Sequence, residues 1–408
     1  MKRLWEFYLV LGIGIGSLLL ASRCEASDAI AVRVDTRVEL LAIVFRLAGA
    51  EEYDQPSSQS PYAAEVMKHF GAFKEHPVVK LAAKLREEDG IGFDAVMSYA
   101  VHLRSDRLAP KIPFDATPPP LDKRWKPEDA ARFLVALKQF VTDSKADAFF
   151  AAHQPYYRKA AQRLEAELAA RPYRSWLDSF FGAKPQAHFA AIVGLLNGGG
   201  NYGMAVRYSG GQEEILPIIG ADKFDSQGLP VFGPATTSLI VHEFCHSYTN
   251  PLVDQFAAKL LPAATTIFPY RKALMAPQAY GTPQTMLYES LVRACTVRFA
   301  QDNDTPQMAA AALKSEQARG FLWTDDLAQL LGTYEHQRHQ YPTLQAFMPQ
   351  IVDFFAQTAT SIELRMAKLP KIVSLSPTDG NRMVDPATTE IRIEFDRPMQ
   401  TDSYSIVG

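Results

Sequence analysis

The run Val241-His242-Glu243-Phe244-Cys245-His246 holds the residues of this chain best suited to chemistry. It fits H-E-x-x-H. Residues four apart share one face of a helix, so His242 and His246 aim two imidazole nitrogens at one point. A Zn²⁺ there would sit about 2.0–2.1 Å from each. Glu243, one step round the helix, reaches a water on the metal without taking a metal position, as a general base must. A chain of this length matches the pattern by accident on the order of one time in a hundred.

The helix that must carry these residues is legible. Leu239, Ile240, Val241, Phe244 and Cys245 make the segment apolar nearly all round, which predicts burial. Gly233-Pro234 suits its start and Asn250-Pro251 its stop. Burying two histidines and a glutamate without partners costs several kcal/mol. A metal supplies those partners, whereas the plainer reading is two satisfied core histidines beside a paired glutamate.

A catalytic zinc needs a third protein ligand. Thr249 and Leu252 stand where the metzincin pattern needs Gly and His, and Thr265-Thr266-Ile267 carries no thermolysin-type glutamate. Between Asp254 and Glu289 there is no Asp, Glu or His, so these two lead, with His336 and His339 behind them. Glu289 has the better setting. Thr282-Pro283 reads as N-cap and first residue of a helix running to about Phe299, which would present Glu289 beside the histidine helix. Arg293 then either forms a plain i,i+4 surface pair with Glu289 or orients it from behind.

The segments His242-Glu243-Phe244-Cys245-His246-Ser247-Tyr248 and Glu289-Ser290-Leu291-Val292-Arg293-Ala294 resemble the gluzincin branch of zinc metallopeptidases. They are also similar to an uncharacterised bacterial family of exported proteins, a likeness extending over residues 30–365. The resemblance implies a zincin-like core with Zn²⁺ on His242, His246 and Glu289, Glu243 as base, and a peptide or protein substrate. The gap before Glu289 is longer than in well-studied gluzincins. Tyr280 and Tyr248 are the candidates to stabilise the oxyanion. The rival reading is a non-catalytic exported binding module with zinc structural or absent; a structural site would close with a fourth ligand from Asp254, His336 or His339.

Residues 1–26 read as an export signal: Lys2 and Arg3, an apolar stretch from Phe7 to Ala21, and cleavage near Ala26. That stretch is too short for a comfortable membrane span, so no stable transmembrane anchor is expected and the protein belongs in the periplasm, cell envelope or outside the cell. After cleavage only Cys245 and Cys295 remain, too few for a disulfide framework. A bridge between them is conceivable, but two small buried residues is the better reading. A net charge of −3 and the absence of basic runs argue against nucleic acid.

The fold class expected is α+β, mainly helical, with residues 27–366 as one zincin-like domain; 47% apolar residues suffice for its large core. Helices fill 33–182, a small antiparallel sheet 188–221, the metal helices 235–300, and further helices 306–366. In the sheet His188–Leu196 pairs with Tyr202–Tyr208, the candidate edge for an extended peptide, and Glu214–Ile219 follows. The run Asn197-Gly198-Gly199-Gly200-Asn201 lacks the Lys and the helix of a phosphate loop. Residues 371–408 are similar to the opening of bacterial Ig-like domains, with Ile391, Ile393 and Phe395 alternating as in a half-buried strand. Such a sandwich needs about seven strands, so either the chain continues or these strands pair elsewhere.

Overall fold

A computed structural model describes residues 30–278 and 280–399; the export signal proposed at 1–26 and the last residues of the Ig-like segment lie outside them. The chain is α+β and mainly helical. A first strand, β1 (Ala31–Val34), leads into helices α1 (Thr36–Leu47), α2 (Pro61–Phe70), α3 (Pro77–Asp89), α4 (Asp94–His102), α5 (Pro127–Ser144), α6 (Ala146–Leu168) and α7 (Tyr173–Phe181). Strands β2 (Ala187–Gly194), β3 (Tyr202–Arg207) and β4 (Glu213–Gly220) follow. Then come α8 (Pro234–Gln255), α9 (Ala257–Ile267), α10 (Lys272–Met275), α11 (Pro283–Asn303), α12 (Pro306–Ala318), α13 (Thr324–His336) and α14 (Leu344–Ala367). A ribbon of β5 (Ile372–Ser376) and β6 (Arg392–Phe395) ends the described chain.

The sheet corrects the antiparallel expectation. It has four strands in the order β1-β2-β4-β3, with β2 parallel to both β1 and β4. β3 pairs with β4, in antiparallel register from Tyr202 opposite Ile218 to Arg207 opposite Glu213, and not with β2. The reason lies in β2 itself. Its run Phe189–Gly194 is buried, as suits a central strand covered on both faces. The glycine loop then carries the chain past β4 to the edge. β1 is too short for its alternation to register in a sequence.

That glycine run has a packing role. A Cβ on Gly220 would lie 2.2 Å from the carbonyl oxygen of Gly198 and 2.7 Å from that of Gly200. The loop therefore presses its backbone directly on the end of β4. At β3 the approach is to a helix: a Cβ on Gly203 would lie 2.4 Å from the Glu243 carbonyl oxygen and 2.7 Å from the His246 Cβ.

Helix α8 packs on β3 and β4 and against α11, which in turn contacts α9, α12 and α13. Ile240, Val241, Phe244 and Cys245 are buried in this stack. The Phe244 ring lies 5.9 Å from that of Phe189 on β2, an anchor whose truncation to alanine costs about 3–5 kcal/mol. The helix starts at Pro234 as the sequence indicates, but it does not stop at Pro251. A proline leaves the carbonyl four residues back without its N–H, and here Arg207 Nη2 from β3 donates to the Ser247 oxygen at 2.8 Å. The strand repairs the helix.

Behind the sheet, α1 is buried along almost its whole length. Its Glu39 accepts a bond from Leu195 N at 2.9 Å, just past the end of β2. The C-terminal ribbon is a two-stranded antiparallel pair. Ile372, Val373, Ile391 and Ile393 are exposed while Leu375 and Phe395 are half-buried, so of the three residues read as a half-buried face only Phe395 is partly covered. Among the described residues no helix is long and apolar enough to cross a membrane.

Two outcomes follow from these contacts. Gly203→Ala should cost about 1–3 kcal/mol through overpacking, whereas Gly281→Ala, with nothing within 4 Å of its added Cβ, should stay within about 0.5 kcal/mol; denaturant titration separates them. Burial pushes the Glu39 carboxyl up from 4.5 to about 8. Its folded value thus lies above the unfolded one, and folding is favoured by the protonated form. Stability should fall as pH climbs from about 4.5 through about 8, and Glu39→Gln should flatten that fall in unfolding midpoints measured across the range.

Candidate metal centre

His242 and His246 point from one face of α8 toward Glu289 on α11. The α11 helix opens as the sequence indicates, with Thr282 Oγ1 accepting from Thr285 N at 3.1 Å. The His242 and His246 Nε2 atoms are 3.2 Å apart. Glu289 Oε2 lies 3.4 Å from the first and Oε1 3.5 Å from the second. Bonds of about 2.0–2.2 Å to a tetrahedral ion give ligand–ligand edges of roughly 3.3–3.5 Å. Each imidazole faces a different oxygen of the carboxylate, and one ligand atom from each of the three side chains lies within 4.8 Å of the other two, near the spacing that one ion needs.

The surroundings set their protonation. Burial lowers the His246 pKa to about 4, so this imidazole is neutral at pH 7, the state a ligand requires. Its Nδ1 lies 3.2 Å from Asn250 Oδ1. A carbonyl oxygen accepts, so Nδ1 carries the proton and Nε2 keeps its lone pair for the site. Burial alone would push the Glu289 carboxyl up, but His242, His246 and Arg293 beside it outweigh burial and hold it well below the usual range. Glu243 differs. Burial raises its pKa to about 7, against a lowering from His242. Its Oε2 is 4.0 Å from His246 Nε2, beside the three-ligand group and not part of it.

Arg293 is buried and is no surface partner. Its Nη2 donates to Glu289 Oε2 at 2.9 Å and to Tyr280 Oη at 2.8 Å, and its Nη1 donates to Glu316 on α12. The guanidinium also lies 4.7 Å over the Phe321 ring. Two carboxylates thus flank one cation. Asn250 and Glu316 escaped the sequence reading. Asn250 was legible four residues past His246 on the same face, but beside Pro251 it reads as a helix stop. Glu316 lies on another helix, and no local spacing points to it.

The other candidates lie elsewhere. Asp254 is exposed and accepts bonds from Gln284 and Tyr288. His336 Nδ1 bonds the Gly332 carbonyl within its own helix at 2.6 Å, and His339 is exposed. Tyr248 faces away from the ligands, stacked 4.4 Å from Phe181 beneath the Lys184 ammonium. Tyr280 shares Arg293 with Glu289. Cys245 and Cys295 are free and buried. Burial pushes the Cys295 thiol well up, with Cys245 hydrogen-bonding beside it, so Cys295 is no ready nucleophile.

Over residues 120–354 the chain matches the family described as a domain of unknown function, DUF4932, and it belongs to that family. The matched stretch contains both ligand-bearing helices. No curated protein and no solved structure matches the chain.

Arg293→Met should leave Glu289 and Glu316 buried without their cation. Removing one partner of a buried ion pair costs about 3–5 kcal/mol, a loss readable as a lowered denaturation midpoint in metal-free protein. Arg293→Lys should recover only part of it, because an ammonium cannot reproduce the guanidinium's fork to three oxygens.

Proposed function

We propose that this member of the DUF4932 family is an exported zinc metallopeptidase of the gluzincin type, hydrolysing peptide bonds. The observation that carries the reading is the convergence of the two imidazole nitrogens and the Glu289 carboxylate, whose ligand atoms lie within 4.8 Å of one another. Two imidazole nitrogens and one carboxylate suit zinc better than the oxygen sets preferred by magnesium or calcium. His242, His246 and Glu289 would hold the ion.

When bound, Zn²⁺ supplies Lewis acidity, lowering the pKa of a coordinated water toward about 7 and polarising the scissile carbonyl. Glu243 takes the proton of the attacking water and passes it to the leaving amine nitrogen as the C–N bond breaks. Tyr280 accepts from Arg293, so its own O–H proton is left to donate to the carbonyl oxygen, where negative charge develops. Asn250 and Arg293 orient His246 and Glu289. The outer edge of β3, beside Glu243, would pair with an extended peptide. Residues 1–26 would direct export, and residues 371–408 would begin an Ig-like segment.

A structural zinc needs four protein ligands. Among the described residues three converge, while Asp254, His336 and His339 are engaged or exposed elsewhere. Catalysis is therefore the reading we favour over a binding module.

Zinc content and cleavage of a broad peptide library test the proposal together. Wild-type protein should carry near-stoichiometric zinc, and His242→Ala or His246→Ala should lose it. Glu243→Gln should keep the zinc and the fold while hydrolysis falls by roughly two to four orders of magnitude. Zinc retained in both histidine variants would sink the site. Zinc lost from Glu243→Gln would make that residue a ligand and not a base.

A further inference from the structure

Phe93 stands where a glycine belongs. It precedes α4 with φ 53° and ψ −123°, and Ala95 N bonds the Gly92 oxygen at 3.1 Å. This is the first central position of a type II′ turn, where only glycine is free of strain. Core packing does not explain the phenyl group either, because Phe93 is 44% exposed. An aromatic ring on unfavourable backbone, facing solvent, persists only if the surroundings hold it there.

They do. Tyr53, fully buried, donates from Oη to the Phe93 oxygen at 2.9 Å. Phe93 N donates to Glu52 Oε1 at 3.3 Å, and Arg86 binds that same oxygen. A Cβ on the preceding Gly92 would lie 2.9 Å from it, so the clamp closes tightly around the turn. The clamp also abuts the strand beside the metal centre. Gln55, two residues on from Tyr53, accepts from Gly199 N at 3.0 Å in the loop that opens β3. Four residues further on, Gly203 lies against Glu243. The turn that carries Phe93 is thus tied, through residues 52–55, to the loop that leads into the strand proposed to carry the peptide.

We infer that Phe93 is a specificity-determining residue of the peptide cleft, a platform for an aromatic or branched aliphatic side chain of the substrate. This rests on the metallopeptidase reading. The clamped turn fixes the main chain and the Cα–Cβ direction before the peptide arrives, so the backbone needs no ordering on contact. Apolar contact in such a place discriminates by burial and would disfavour a charged side chain, whose desolvation it does not repay.

The experiment uses zinc-loaded full-length protein and a matched peptide series with one position near the cleaved bond varied among Phe, Leu, Ala and Asp. Wild type should prefer Phe and Leu over Asp in kcat/KM. Phe93→Ala should shrink that ratio by about tenfold, mainly through KM, and Phe93→Leu should restore most of it. Independently of activity, Phe93→Gly should melt at a higher temperature than Phe93→Ala, because glycine relieves the turn. An unchanged ratio in Phe93→Ala, with Glu243→Gln inactive, would overturn the inference and leave the peptidase reading standing. A glycine variant no more stable than the alanine one would overturn its premise of strain. If zinc-loaded wild type cleaves no peptide, both readings fall.

Discussion

The constraint on which the site depends is a place where no side chain fits. At Gly203 the edge strand lies with its backbone against the turn of α8 that holds Glu243 and His246. Side chains of a functional site tolerate errors of only about 0.5 Å, and a methyl group at 203 would move Glu243 and His246 by more than that. The same strand grips α8 a second time, through Arg207 and the Ser247 carbonyl that Pro251 leaves open. One strand thus sets both the height and the tilt of the helix, and the long carry of the chain from β2 past β4 is what brings it there.

Electrostatics then explain why the centre is layered. Two imidazole nitrogens stand 3.2 Å apart, and Glu289 beside them stays ionised. Such a carboxylate is costly inside a fold unless charge and hydrogen bonds answer it. Arg293 answers it, and Glu316 and the Phe321 ring stabilise Arg293 in turn. The order is histidines, carboxylate, guanidinium, second carboxylate. Each layer comes from a different turn or helix, so α8, α11 and α12 lock together through polar contacts where most of their neighbours are apolar.

What the sequence made legible follows from range. His242, Glu243 and His246 lie within one and a half turns of one helix, and helical geometry alone puts the histidines on a common face. Thr282 as cap and the start of α8 at Pro234 are likewise local. Glu289 was reachable by eliminating rivals. The strand order was not, because an apolar run such as Phe189–Gly194 fits a hairpin as readily as a parallel centre until its partners are known. Pro251 misled for a related reason: a proline stops a helix only if nothing distant satisfies the orphaned carbonyl, and Arg207 comes from a strand more than forty positions earlier.

The pairing of β1 with β2 sets an order of events in time. Ala31 lies opposite Ala190, and Glu39 waits for the amide of Leu195 across 156 positions. Helices α2 to α7, which fill that interval, form from near neighbours within microseconds, whereas closing a loop of such length onto a parallel strand is slow. During synthesis from the N-terminus, β1 and α1 are therefore kept waiting until β2 emerges, and β3 cannot pair until β4 has followed it. The helix bearing the histidines follows the four strands, and α11 with Glu289 follows later still. The three side chains can therefore meet only after the last strand of the sheet has been made, and a sheet that fails to close leaves α8 without its bed on β3 and β4.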